Sequence, residues 1–290
     1  MDTRPTKKQK KAKEELFRVT ISAPSSFKTM CDILGSIFNE LPLLIVHDQD
    51  FTGIKVHSMN DRQIAFIKLQ YACPVQSNDE QQIRCCVPLK TFNQLLKHVP
   101  NTSVMHLIQY KESNEVVIET QDERASIREF YCNTLQMLDD NYTSLEDVES
   151  DNVIEFDLLY FKNDVKICKD TKATAIDFSL YKKNDSSDTL IVLFFKGDQS
   201  GAKSTYICRG KKVKVVDDDK INVADWEKKY ASSFDADMLH SFLKNMDRES
   251  KIIVCLTKDM MIMDYNLGVE NSHIRFYLAP KVDEEDEEIN

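Results

Sequence analysis

On either side of an acidic run at 138–152, the chain lays out the same succession of apolar patterns twice. Each half opens with a strand-like alternation that leads into an amphipathic helix. Several strands follow, then a second, shorter helix, then three closing strands. An amphipathic helix must bury its apolar stripe, and a sheet is the partner these strands supply. Two such units in 290 residues predict an α+β protein of two similar domains, each with antiparallel sheets and two helices. The expected divisions are a basic tail at 1–15, an N-terminal domain at 16–137, a connector at 138–152, a C-terminal domain at 153–281 and an acidic tail at 282–290.

In the first half, 16–22 alternates as a strand, and Pro24-Ser25-Ser26 opens a helix with a serine as the expected N-cap. Phe27, Met30, Ile33, Leu34, Ile37 and Phe38 form its stripe, which ends before Pro42. Strands are predicted at 43–47, 53–58, 63–71 and 82–88. Leu89, Phe92, Leu95, Leu96 and Val99 share a face of the second helix, which Pro100-Asn101 stops, and strands follow at 103–110, 115–121 and 126–137.

The second half begins with a strand at 153–156 and a helix over 158–171, whose stripe is Leu158, Phe161, Val165 and Cys168. Strands are predicted near 174–181, 189–195 and 203–209, and 210–220 reads as a protruding hairpin or loop. A strand at 230–234 leads into a helix carrying Met238, Leu239, Phe242, Leu243 and Met246, and strands at 251–257, 260–266 and 273–279 close the pattern.

No run of about 18 apolar residues is present, so no helical membrane span is expected. The N-terminal segment is rich in lysine and lacks an apolar core, which excludes a secretory signal there. It reads as an import signal, a contact to nucleic acid or a solvated tail. Eight cysteines without a C-x-x-C pair read as reduced thiols, mostly buried. The net charge of −10, taken alone, argues against a nucleic-acid partner.

The distribution of charge says otherwise. Lys90 and Lys97 stand unopposed over 89–99, while Lys162, Lys166, Lys169 and Lys172 face only Asp164 and Asp170 over 158–172. Lys28 is balanced by Asp32 in the first helix, and Lys244 and Arg248 by Asp237 and Asp247 around the fourth. The helices are therefore more basic than the rest of an acidic chain. The spacing of the four lysines, 4, 3 and 3, puts them on one helix face, where like charges repel unless an anion is near. Such a surface suits phosphate contact without base readout, though a lysine stripe is also an ordinary solvated face.

Catalytic signatures are absent. There is no G-x-x-x-x-G-K-[ST], since Gly197-Asp-Gln-Ser-Gly201 lacks the lysine, and no G-x-S-x-G. The six histidines have no metal-ligand spacing, and the carboxylates cluster in the connector and the tail, poor places to preorganise an acid or base. No enzyme activity and no cofactor are expected.

The C-terminal run His273-Ile-Arg-Phe-Tyr-Leu-Ala-Pro-Lys281, followed by an acidic tail, resembles the end of proliferating cell nuclear antigen (PCNA), the eukaryotic DNA sliding clamp. Ile37-Phe-Asn-Glu40, Val56-His-Ser-Met-Asn60 and Val87-Pro-Leu-Lys-Thr-Phe-Asn-Gln-Leu-Leu-Lys97 resemble further segments of that family. The third-helix pattern is poorly kept in 158–171, which marks a divergent member, viral or protist. The resemblance implies a ring of three subunits around duplex DNA, with helices lining the hole and sheets forming the outer wall. It implies replication and repair partners, a polymerase and other PIP-box proteins among them, an external clamp-loader ATPase, and a location in the nucleus or at a viral replication site.

By position, Lys28, Lys97, Lys166 and Lys244 match basic lining residues of the family; helix geometry adds Lys90, His98, Lys162, Lys169, Lys172 and Arg248 as DNA-binding candidates. Met59, Phe66, Met260, Tyr277, Ala279 and Pro280, with Leu138 and Leu145 on the connector, match the family's partner-peptide pocket. Subunits are expected to join through the strands near 125–132 and 203–209. The alternatives are one subunit of a heterotrimeric checkpoint-type clamp, or a monomeric viral processivity factor.

Overall fold

The computed structural model describes residues 14–60, 64–77, 82–121, 126–135, 152–183, 188–197, 200–209, 212–215 and 225–281. The tails at 1–13 and 282–290 and nearly all of the connector, with Leu138 and Leu145, lie outside these residues.

The first half runs β1 (Glu15–Ile21), α1 (Pro24–Leu34), β2 (Glu40–His47), β3 (Thr52–Met59), β4 (Ala65–Ala72), β5 (Val75–Ser77), β6 (Gln82–Pro88), α2 (Leu89–Leu96), β7 (Val104–Tyr110), β8 (Glu115–Gln121) and β9 (Ile127–Asn133). The second half repeats that order: β10 (Val153–Asp157), α3 (Leu158–Asp170), β11 (Ala175–Lys183), β12 (Thr189–Lys196), β13 (Gly201–Arg209), β14 (Lys212–Val215), β15 (Trp226–Asp235), α4 (Ala236–Leu243), β16 (Lys251–Leu256), β17 (Met261–Asn266) and β18 (His273–Leu278). The duplication read from the sequence is thus kept element by element. Two short strands went unpredicted: β5, and β14 inside the polar excursion. Three or four residues carry too little alternation to be recognised without their partners.

All strand pairings among the described residues are antiparallel. One sheet runs β5-β1-β7-β8-β9 and another β14-β13-β12-β11-β15. Between them an eight-stranded sheet, β10-β16-β17-β18-β4-β3-β2-β6, crosses from one half to the other. Its junction is the β18–β4 ladder, from His273 opposite Gln70 to Leu278 opposite Ala65. The last strand of the chain therefore welds the two halves into one continuous sheet.

The helices lie on the sheets in the neighbour order α2-α1-α4-α3. Phe27 packs edge-on to Tyr71 and Phe92, Phe161 joins Phe156 to Phe178, and Phe242 stacks on Phe276 at 4.3 Å. Each such fully buried ring contributes about 1.5–3 kcal/mol. Six of the eight cysteines are buried, Cys73 and Cys255 only partly.

The serines do not cap α1. Ala23 occupies the N-cap without a side-chain bond, and Pro24 takes the first turn, where its missing N–H costs nothing. At α4, by contrast, the Asp235 carboxylate accepts from the Met238 N–H at 2.9 Å.

Candidate nucleic-acid and peptide-docking surfaces

With their apolar stripes on the sheets, the helices turn their polar faces outward. Lys90, Lys97, Lys166, Lys169 and Lys244 are all exposed there. Lys97 and Lys244 occupy the C-cap positions of α2 and α4, and Arg248 lies in the turn after α4, also exposed. Two further placements differ from the helical reading. Lys172 lies past the end of α3 in a left-handed conformation (φ 57°), so the face carries three of the four aligned lysines. His98 lies past the end of α2, its ring stacked on Phe130 of β9 at 5.9 Å. Lys28 and Lys162 are tied to neighbouring helix ends. The Lys162 ammonium donates to the carbonyls of Lys244 at 2.9 Å and Met246 at 2.8 Å, and that of Lys28 to Val99 O and, at 2.8 Å, to Asn101 Oδ1.

α1 and α4 join the helix layers of the two halves. Ser36 Oγ donates to Ser241 O, and Asn245 Nδ2 to Asp32 O, each at 2.6 Å. A cleft of about 180 Å³ opens between α3 and α4, with Lys162, Lys166, His240, Lys244 and Arg248 around a floor of Val165 and Leu243. Burial holds Lys162 below its usual range and Arg248 adds to the effect, while Asp247 opposes it. Burial likewise lowers His240, and Lys169, Lys244 and Lys162 push the same way against Asp237.

The other face of the eight-stranded sheet carries a small apolar cluster. Alternation sends Ile274, Phe276 and Leu278 into the main core and Tyr277 to the opposite side. There Tyr277 meets Phe66, its ladder partner on β4, with ring centroids 5.7 Å apart, and Ile262, its partner on β17. Met260 and Cys255 pack at the edge. Met59 lies opposite Phe66 on β3 and is 40 % exposed, Ala279 is exposed and Pro280 half-buried. Three sequence candidates, Phe66, Met260 and Tyr277, thus share one cluster. Ile262 and Cys255 were missed, because outward-facing apolar residues on β16 and β17 look like core until the pleat is known.

No protein-family model matches the chain. Solved structures do. A proliferating cellular nuclear antigen from Entamoeba histolytica superposes with a TM-score of 0.73 at 19% identity, covering 92% of this chain and all of that one. A chain of a PCNA2–PCNA3 complex from Sulfolobus tokodaii gives 0.68 at 15% identity, with the same 92% and 100% coverage. The chain has the PCNA fold.

In this PCNA fold the lateral edges are as informative as the faces. β9 lies at the edge of its sheet, with Ile127 62% and Tyr131 52% exposed. β13 is covered by β14 only from Tyr206 to Arg209. The residues from Gly201 to Thr205 form the remainder of that edge. The strand at 203–209, expected to be a subunit edge, is therefore already paired with β14 in its second part. Beneath it, the Asp164 carboxylate of α3 accepts from Ser204 Oγ at 2.7 Å and from the Tyr206 hydroxyl, tying the helix to the edge strand. Neither bond was visible in a sequence that spaces these residues about 40 apart.

Proposed function

We propose that the protein is a DNA sliding clamp: a trimeric ring that encircles duplex DNA and tethers replication and repair enzymes. The internal symmetry of the sheets carries this reading. Strands β10, β16, β17 and β18 correspond to β1, β7, β8 and β9, and strands β6, β2, β3 and β4 to β15, β11, β12 and β13. Within the chain, β18 is joined to β4. Of their counterparts, β9 lies at a sheet edge and β13 pairs with β14 only from Tyr206 on, and a β9–β13 pairing between copies would rebuild the eight-stranded sheet. An exposed edge seeks a strand, and a head-to-tail pairing of this kind closes into a ring when its rotation allows. The final β3–β4 pair, Met59 with Phe66, corresponds to Lys196 with Gly201 at the end of β12–β13. By that register the part of β4 used in the junction maps onto the part of β13 with which β14 does not pair.

The basic helix faces support DNA as the ring's content, and the outer Phe66–Ile262–Tyr277 cluster is the place for a partner peptide with an aromatic plug. The ring works topologically, holding a polymerase or another PIP-box protein at high effective concentration on DNA. An external ATPase loads it, and it acts in the nucleus or at a viral replication site. A second reading has its own support: the Sulfolobus neighbour is a complex of PCNA2 with PCNA3. β14 shortens the open edge, as a subunit of a heteromeric clamp or a monomeric processivity factor would tolerate.

The test is the mass of the purified protein by light scattering across a dilution series at moderate salt. Three chains that persist on dilution support the homotrimeric ring. A mass of one chain overturns it in favour of the second reading.

A further inference from the structure

The cleft between α3 and α4 has a counterpart in the other half, and the two differ in charge. Aligning the first residues of α1 and α3, Pro24 and Leu158, sets Lys28 against Lys162 and Asp32 against Lys166. Aligning Leu89 of α2 with Ala236 of α4 sets Asn93 against His240, Lys97 against Lys244 and Asn101 against Arg248. The hydrogen bonds endorse this alignment: Lys28 donates to Val99 O as Lys162 does to Met246 O, and these two acceptors are equivalent.

In the N-terminal half, then, the position equivalent to Lys166 holds the carboxylate of Asp32, on which Lys97 and Lys28 both act. That site supplies its own anion. In the C-terminal half Lys166 stands at that position, Arg248 replaces an asparagine, and among the described residues no carboxylate lines the cleft. Asp247 and Asp237 act on it only from outside. Lys162 gives two of its three N–H donors to carbonyls and keeps one, and Arg248 brings a guanidinium fork suited to two oxygens. The walls are cationic and the floor, Val165 and Leu243, is apolar, so the cleft is shaped for a compact oxyanion rather than for a metal or an apolar group.

We propose that this cleft is a discrete oxyanion site that takes one phosphodiester of a nucleic-acid backbone, and that the N-terminal half has no equivalent. The inference rests on the DNA reading and adds an asymmetry to it: each subunit grips the backbone through its C-terminal half. The duplication supplies the controls. Lys166→Asp puts a carboxylate where the N-terminal half has Asp32, and Lys166→Gln removes the charge without adding a carboxylate; the residue is exposed, so both chains fold. Asp32→Lys replaces the N-terminal half's own carboxylate with the cation found at the equivalent position.

The experiment is a titration of the full-length protein, with isotope-labelled histidine, by a short DNA duplex and separately by inorganic phosphate. It is followed by the His240 ring signals and by duplex affinity. The expected result is that the duplex shifts His240 and raises its pKa, and that phosphate at higher concentration competes. Lys166→Asp weakens the duplex at least tenfold, Lys166→Gln weakens it less, and Asp32→Lys tightens it. Duplex binding that leaves His240 unmoved and is insensitive to Lys166 overturns the site while leaving the clamp reading intact. Phosphate binding in the cleft with no duplex binding overturns the phosphodiester assignment together with the DNA reading. An unmoved His240 with both ligands overturns the site outright.

Discussion

Lys28 and Lys162 occupy the same place in the two halves, and each closes the end of the following helix, through Val99 O and Met246 O respectively. A cation among the last carbonyls of a helix satisfies acceptors that have no partner within the helix and complements its dipole. These two lysines anchor the helix pairs first, and their charge is available to a ligand only in part.

From this follows a stability difference between neighbouring lysines. Lys162→Met should destabilise the protein by about 1–2 kcal/mol, the range for a charge-assisted bond at a helix end. Lys169→Met, on the exposed face of α3, should be within about 0.5 kcal/mol of the parent. Urea unfolding of both variants gives the comparison, and equal midpoints would refute the anchoring role of Lys162.

The network under β13 should be sensitive to loss of one partner. Tyr206→Phe leaves the buried Asp164 carboxylate with Ser204 alone and should cost about 1–3 kcal/mol. Burial raises Asp164 above its usual value of 3.8, although Tyr206 and Ser204 pull the other way. The folded state thus holds this proton more tightly than the unfolded one. Its contribution is fully present below 3.8 and is lost as pH rises through the higher folded value. The stability difference between parent and Asp164→Asn, followed by thermal melting from pH 3 to 7, should shift in that direction.

Histidines act in the opposite sense. Burial lowers His57, His106, His240 and His273 from 6.5. The unfolded chain binds their protons more readily, so stability is present above 6.5 and is lost as pH falls toward the lower folded values. Melting at pH 5.5 should occur below melting at pH 7.5, and His106→Gln should reduce the difference.

On the outer face, Met59→Ala should leave stability nearly unchanged, since the side chain is 40 % exposed. It should weaken a glutamine-plus-aromatic peptide about threefold to tenfold, consistent with an apolar side chain at the rim of a groove. Ile262→Ala should weaken the same peptide and also cost about 1–3 kcal/mol of stability, because it empties the buried centre of the cluster. Peptide titration by fluorescence anisotropy separates the two.

At the β9 edge, proposed to join subunits, Ile127→Lys replaces a side chain 62% exposed in the single chain and should not lower monomer stability. Placed in an edge-to-edge ladder, the charge opposes pairing. Light scattering should show dissociation at higher protein concentration than for the parent.

The sequence by itself determined the elements and their duplication. The α3 stripe of Leu158, Phe161, Val165 and Cys168 and the alternation of β18 are local periodicities, written within one or two turns of helix or a few residues of strand. The resemblance added most of the outer cluster, Phe66, Met260 and Tyr277. What only the tertiary structure decided are relations between distant segments: β18 against β4, Ser36 against Ser241, Asp164 against Tyr206, and Lys162 capping α4. It also decided that Asp32 and Lys166 hold equivalent places of opposite charge. Pairings of this kind leave no local period, because they depend on which edges and helix ends the packing brings within hydrogen-bond reach.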